Sequence, residues 1–230
     1  MPLALRHTDI RIQTERVWLD ALQSHAPDVR GLIVIAAPTI GRLRESRENY
    51  VAAHMRQAHY GTLIISMLTP YEEHRDPDVK FDIALLHRRL EAIFEWVDQQ
   101  PQWSGRPLGL MVTGTVASAA VRLLAREPQR AAALVARSAR ADLAGAEPLR
   151  RLRVPTLMLV PGTEQDLRNN CEQAFALLGT EKSWAEFDGA SAGFIEPGVL
   201  DAASTAAREW FITHLPPPLP EAPPEAPSEQ

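Results

Sequence analysis

The sequence predicts an α/β protein built on a doubly wound, mostly parallel sheet flanked by helices. Three observations carry that prediction. Leu32–Ala36 and Gly61–Met67 are unbroken apolar runs, as strands buried on both faces require. Segments with helical spacing alternate with such runs along the chain. The 230 residues, 45% hydrophobic and 23% charged, suit one domain with a substantial core.

The elements follow in order. Leu3–Leu5 and Thr8–Gln13 read as short strands, and Val17–Leu22 continues them as a β-meander. Leu32–Ala36 is the first fully buried strand, Arg47–His59 a helix, and Gly61–Met67 the second buried strand. Thr69–Pro77 is a charged excursion too polar for a core element. Phe81–Asp98 is an amphipathic helix with Phe81, Ala84, Leu85, Leu90, Ile93 and Val97 near one face. Pro107–Val112, Ala131–Val135 and Val154–Val160 are further strands, with a helix over Val116–Ala125. Asp166–Leu178 and Gly198–His214 read as helices, and Lys182–Phe187 as the last strand. The folded domain is expected over 1–214. From Leu215 onward seven of sixteen residues are proline, which predicts a polyproline-like or disordered tail. Pro217–Pro220 matches PxxP, a pattern any proline-rich run supplies by chance.

Composition excludes several classes of function. A net charge of −5 predicts no general attraction to nucleic acid or to an anionic membrane. The only lysines are Lys80 and Lys182, and an arginine–alanine bias of this kind reads as genomic GC content rather than as an anion site. One cysteine, Cys171, allows no internal disulfide and fits a cytoplasmic location. No apolar run is long enough for a signal peptide or a membrane span. No Walker loop, GxGxxG or zinc-spaced cysteine set is present, so no cofactor and no metal are expected.

The most informative stretch is 106–120. A strand over Leu108–Val112 meets the helix beginning at Val116 through the sharp turn Thr113-Gly114-Thr115. Loops beyond the carboxyl ends of strands are where parallel sheets place their sites. In a large class of hydrolases this turn holds a serine or cysteine nucleophile. Its apex here is glycine.

The order of elements resembles the α/β-hydrolase fold, and within it the small dienelactone-hydrolase-like branch, over about Ile10 to Leu215. The resemblance rests on GLIVIA, YGTLIISMLTPYEEHRD, FDIALLHRRLEAIFEWV, PLGLMVTGT, VPTLMLVPGTEQD and FDGASAGFIEPG. It implies a hydrolase-like domain without a large lid. It also implies which residues occupy the catalytic positions. The family elbow, G-x-S-x-G or G-x-C-x-G, corresponds to Val112–Val116, with Gly114 in place of the nucleophile. Thr113 and Thr115 stand one position off the apex, and Ser118 a full turn into the helix. The family histidine corresponds to Ala192, in the loop Gly189–Phe194. The histidines are His7, His25, His54, His59, His74, His87 and His214, so none lies between His87 and His214. His214 ends the last helix, where it reads as a partner of the helix dipole. Glu164 aligns best with the family's acid. Asp166 is near, and by itself reads as a helix N-cap. The oxyanion loop corresponds to Ala37-Pro38, and proline has no N–H to donate.

These replacements point to a catalytically degenerate hydrolase. Its expected role is to bind a small molecule above Ala37, Pro38, Gly114, Thr115, Glu164 and Ala192, or to engage a protein partner or a second copy. The rival reading is a working esterase or lactonase that uses displaced groups such as Ser191 or His74. Other constellations carry less. Glu72, Glu73, His74, Asp76 and Asp78 could approach a metal, but they also match an ordinary surface excursion. His54 and His59 are five apart, the wrong spacing for a shared face. Cys171, with no histidine expected beside it, reads as inert. Arg42, Arg44 and Arg47 could meet an anion or simply form a solvated face.

Overall fold

The computed structural model describes residues 5–215. Its centre is an eight-stranded sheet in the order β1-β2-β4-β3-β5-β6-β7-β8. β1 (Arg6–Thr14) and β2 (Val17–His25) form an antiparallel hairpin, and β2 also pairs antiparallel with β4 (Gly61–Ser66). β3 (Leu32–Ala37), β4, β5 (Leu108–Thr113), β6 (Ala133–Arg137), β7 (Thr156–Pro161) and β8 (Lys182–Phe187) run parallel. The doubly wound α/β prediction holds.

The pleat separates the central strands into two faces. Leu32, Val34 and Ala36 join one core, beneath α3 (Ile83–Asp98) and α4 (Val116–Arg126). Ile33, Ile35 and Ala37 join the other, beneath α1 (Arg47–Gln57) and α7 (Val199–His214). Both faces are buried, so β3 and β4 carry no polar alternation. α7 lies close on the sheet: a Cβ at Gly109 would fall 2.7 Å from the Phe211 ring, so only glycine fits there.

Several expected boundaries are corrected. Leu3 and Ala4 of the first expected strand lie outside the described residues, and Leu5 is not in a strand. β2 extends three residues past Leu22 through its pairing with β1. The charged excursion contains a helix, α2 (Pro70–Arg75), which Thr69 and Glu72 close with a reciprocal capping box. α3 starts at Ile83, because Asp82 caps it by accepting from the Leu85 N–H at 2.9 Å. The structure adds a short helix, α5 (Ala146–Arg151), between β6 and β7. Asp166 is not the N-cap of α6 (Gln165–Leu177). That position is Glu164, and Asp166 sits in the first turn. Leu215 is buried with the domain, while the proline-rich stretch 216–230 and its PxxP pattern lie outside the described residues. No helix of the described residues is long and apolar enough to cross a membrane.

Candidate functional site

Sheet order locates the site. The chain leaves β3 for β4 on one side and returns to β5 on the other, so the carboxyl ends of β3 and β5 flank a topological switch point. Ala37-Pro38 leaves one end and Thr113-Gly114-Thr115 the other. Gly114 has φ +60°, the left-handed region that the elbow of this fold demands of its apex. Glycine enters that region at little cost. A Cβ on Gly114 would lie 3.6 Å from Pro38 Cγ, an ordinary contact. The elbow is therefore intact, has room for a side chain, and carries none.

Hydrogen bonds tie the other expected positions to the elbow. The Gly114 N–H donates to the Arg137 carbonyl at 3.3 Å, and the Gly114 carbonyl accepts from the Arg140 N–H at 3.0 Å. Ser138, next along from Arg137, donates its hydroxyl to the Ala192 carbonyl at 2.8 Å. The Ala192 N–H donates to Glu164 Oε1 at 2.6 Å. Thr163 fastens the same loop by donating its hydroxyl to the Ala190 carbonyl at 2.8 Å. Ala192 thus meets Glu164, and Arg137-Ser138 connects that loop to Gly114, but the contact between Ala192 and Glu164 is made by backbone.

Two hydroxyls beside the elbow are spent on carbonyls. Thr115 is buried and donates to the Lys80 carbonyl at 2.5 Å. Ser118 is buried and donates to the Arg140 carbonyl. Imidazoles lie elsewhere. His54 meets Asp201, His87 meets Glu91, and His214 bridges the Trp210 carbonyl and Glu181. His74 is exposed on α2. Cys171 is buried, donates to the Ala139 carbonyl, and has its pKa pushed up to about 11 by burial, so it is a poor nucleophile.

The acidic excursion is likewise committed. Glu72 binds Arg89 through both carboxylate oxygens, at 2.5 and 3.0 Å, and Arg89 also donates to the Met67 carbonyl. Burial alone would raise the Glu72 carboxyl, but hydrogen bonds from Arg89 and Thr69 outweigh it and hold the pKa below its ordinary value. Glu73 accepts from the Thr39 hydroxyl at 2.9 Å. No group of three or more His, Cys, Asp or Glu among the described residues is arranged to hold a metal. Arg42 and Arg44 pair with Glu45 and Asp9.

None of five depressions on the described surface is lined by Ala37, Pro38, Gly114, Glu164 or Ala192. Sequence reasoning missed Arg137 and Ser138. Both sit at the end of a strand already identified, but nothing in a single sequence marks a strand end as adjacent to the elbow.

No family model matches the chain. Two Mycobacterium tuberculosis proteins that carry the provisional name phosphoribosyl transferase are 35% identical over 186 residues, 81% of this chain. The chain spans 42% of the length of these curated relatives. A crystallised dienelactone hydrolase from Anabaena variabilis superposes with a TM-score of 0.83 at 30% identity, covering 92% of this chain and 99% of that one. A dienelactone hydrolase-like promiscuous phosphotriesterase from metagenomic libraries superposes with a TM-score of 0.74 at 12% identity, over 93% of this chain and 100% of its own.

Proposed function

Because the chain belongs to the dienelactone-hydrolase-like branch of the α/β-hydrolase superfamily, we propose that it is a non-hydrolytic member that works by binding a small molecule or a protein partner. The observation that carries this reading is the 2.6 Å bond from the Ala192 N–H to Glu164. In acyl transfer of this type an acid orients an imidazole, and the imidazole takes a proton from the nucleophile. Here a backbone amide engages the acid, and Gly114 offers no atom to attack a carbonyl. Pro38 removes an oxyanion donor from the loop facing it. The rival reading is an esterase using displaced groups such as Ser191 or His74: Ser191 lies in the β8–α7 loop with its hydroxyl buried, His74 is exposed on α2, and the hydroxyls of Thr115, Ser118 and Ser138 all donate to carbonyls. The phosphoribosyl-transferase name belongs to proteins of which the chain spans less than half, and phosphoribosyl transfer forms no part of this reading.

Hydrolysis of activated aryl esters and labelling by a fluorophosphonate probe test it together. The expected result is turnover no greater than that of the denatured protein, with no label incorporated. Turnover that disappears on Ser191→Ala or Ser138→Ala overturns it.

A further inference from the structure

The sheet ends on one side at β1, which among the described residues pairs with β2 alone. A long open edge is a template for another strand, and native proteins commonly guard it with charge. β1 is nine residues long, and Arg6, His7, Thr8, Asp9, Arg11 and Gln13 are exposed along it. Its charges are arranged about a centre. Ile10 is the middle residue of the strand, with Asp9 before it and Arg11 after it.

Hydrogen-bonding parity decides which residues face outward. β1 and β2 join through the two-residue turn Glu15-Arg16, so Thr14 pairs directly with Val17. A turn of that length closes on a mutually bonded pair, and bonded pairs alternate along an antiparallel ladder. Thr8, Ile10, Ile12 and Thr14 therefore direct their N–H and C=O groups to β2. His7, Asp9, Arg11 and Gln13 turn theirs to the open edge. The charged side chains also keep bonding capacity. Asp9 accepts twice from Arg44, at 2.7 and 3.1 Å, but both bonds end on Oδ2 and none reaches Oδ1. Arg11 donates from Nε to Asp20 Oδ1 at 3.0 Å, and its terminal nitrogens have no partner among the described residues.

We propose that β1 is a dimerisation edge, and that its partner is β1 of a second copy of this chain, antiparallel about Ile10. In this two-fold arrangement all nine residues overlap, and Asp9 stands opposite Arg11 of the partner subunit, once on each side of the axis. Both residues face outward, so the register also satisfies the main chain. The charges alternate across the join: Arg44 and Asp9, then Arg11 and Asp20 of the partner subunit. On the opposite face Ile10, packed against the core beneath α3, meets its own copy. A slip of one residue sets outward-facing groups against inward-facing ones. A slip of two sets Asp9 against Asp9 or Arg11 against Arg11, and like charges directly opposite are destabilising. The edge is complementary to itself in one register and guarded in its neighbours. Three strands separate β1 from β5 and its elbow. Dimerisation therefore goes beyond the non-hydrolytic reading and is independent of it.

Sedimentation of the full chain over a concentration series is the test. A monomer–dimer equilibrium is expected, weak because one strand edge buries less than a standard interface. Asp9→Lys alone and Arg11→Glu alone each set like charges opposite at both positions, and each is expected to weaken the dimer about tenfold or more. An equal mixture of the two variants is expected to restore it as a heterodimer, because each altered position then meets its complement. Glu172→Lys makes the same change of charge as Asp9→Lys on the surface of α6, and is expected to leave the dimer unchanged. A monomer at every concentration overturns the proposal. So does a dimer that both single variants leave intact, and so does a mixture that stays monomeric. If a variant fails to fold, Ile10→Cys decides. Directly opposed Cα atoms in a non-hydrogen-bonded pair stand about 4.5 Å apart, within disulfide reach. The native Cys171 is buried. Mild oxidation is expected to link two chains through the introduced thiol, and the absence of a covalent dimer overturns the register.

Discussion

The turn at Gly114 and the corner at Glu72 both lie beyond carboxyl ends of the sheet, at β5 and β4. They make opposite use of their residues. At Gly114 the backbone of a reactive site persists, with left-handed φ and room for a side chain, and no reactive group is present. At Glu72 reactive residue types abound, yet the carboxylates of Glu72, Glu73 and Asp76 are spent on structure. Glu72 serves Arg89 and the Thr69 capping box, Glu73 serves Thr39, and Asp76 accepts from the Asp78 N–H. A site needs both a suitable residue type and unspent valence at the right place. Each of these regions has only one of the two.

The strongest way to break that contrast is at the structural corner. Glu72→Ala leaves the Arg89 guanidinium, 3% exposed, without its carboxylate. Breaking a buried pair from one side costs about 3 kcal/mol or more. Chemical denaturation measures it, and a loss under about 1 kcal/mol would reduce the pair to an ordinary surface contact. The pair also has a pH signature. The native Glu72 pKa lies below its ordinary 4.5, so the stabilisation is complete above that pH and is lost as acid carries the solution through the depressed value. Glu72→Gln should remove this part of the acid dependence.

What was legible in the sequence follows the same division. Apolar runs placed β3 through β7, because strands buried on both faces leave an uninterrupted signature, whereas β8, at the sheet edge and only partly buried, was placed by the alternation of elements. The vacancy at Gly114 and the absence of histidine near Ala192 were legible because side-chain identity is what a sequence records. The helix inside 69–77 was not, because it is held by a capping box and by Arg89, seventeen residues beyond Glu72. Arg137 and Ser138 were not, because their roles depend on which strand lies beside β5.

The second test sharpens the comparison at the elbow. Gly114→Ser is expected to fold, since its Cβ would stand at ordinary contact distance from Pro38. It should cost about 1–2 kcal/mol, the penalty of a side chain in the left-handed region. Ester turnover should remain at background, because no imidazole reaches that turn. Turnover well above background would reveal a base that the contacts of Ala192 and Glu164 do not include.

The smallest expected effect separates strain from bonding beside the elbow. Ser138 has φ +47° and donates its hydroxyl to the Ala192 carbonyl, so it holds an unfavourable backbone while fastening the β8–α7 loop. Ser138→Ala removes the bond and keeps the strain, at about 1 kcal/mol. Ser138→Gly removes the bond but relieves the strain, which returns several tenths of that loss even after the entropy of glycine in the unfolded chain. Glycine should therefore be the more stable of the two variants. If alanine matches or exceeds glycine, the left-handed backbone at Ser138 carries no strain, and the hydroxyl bond alone accounts for serine at that position.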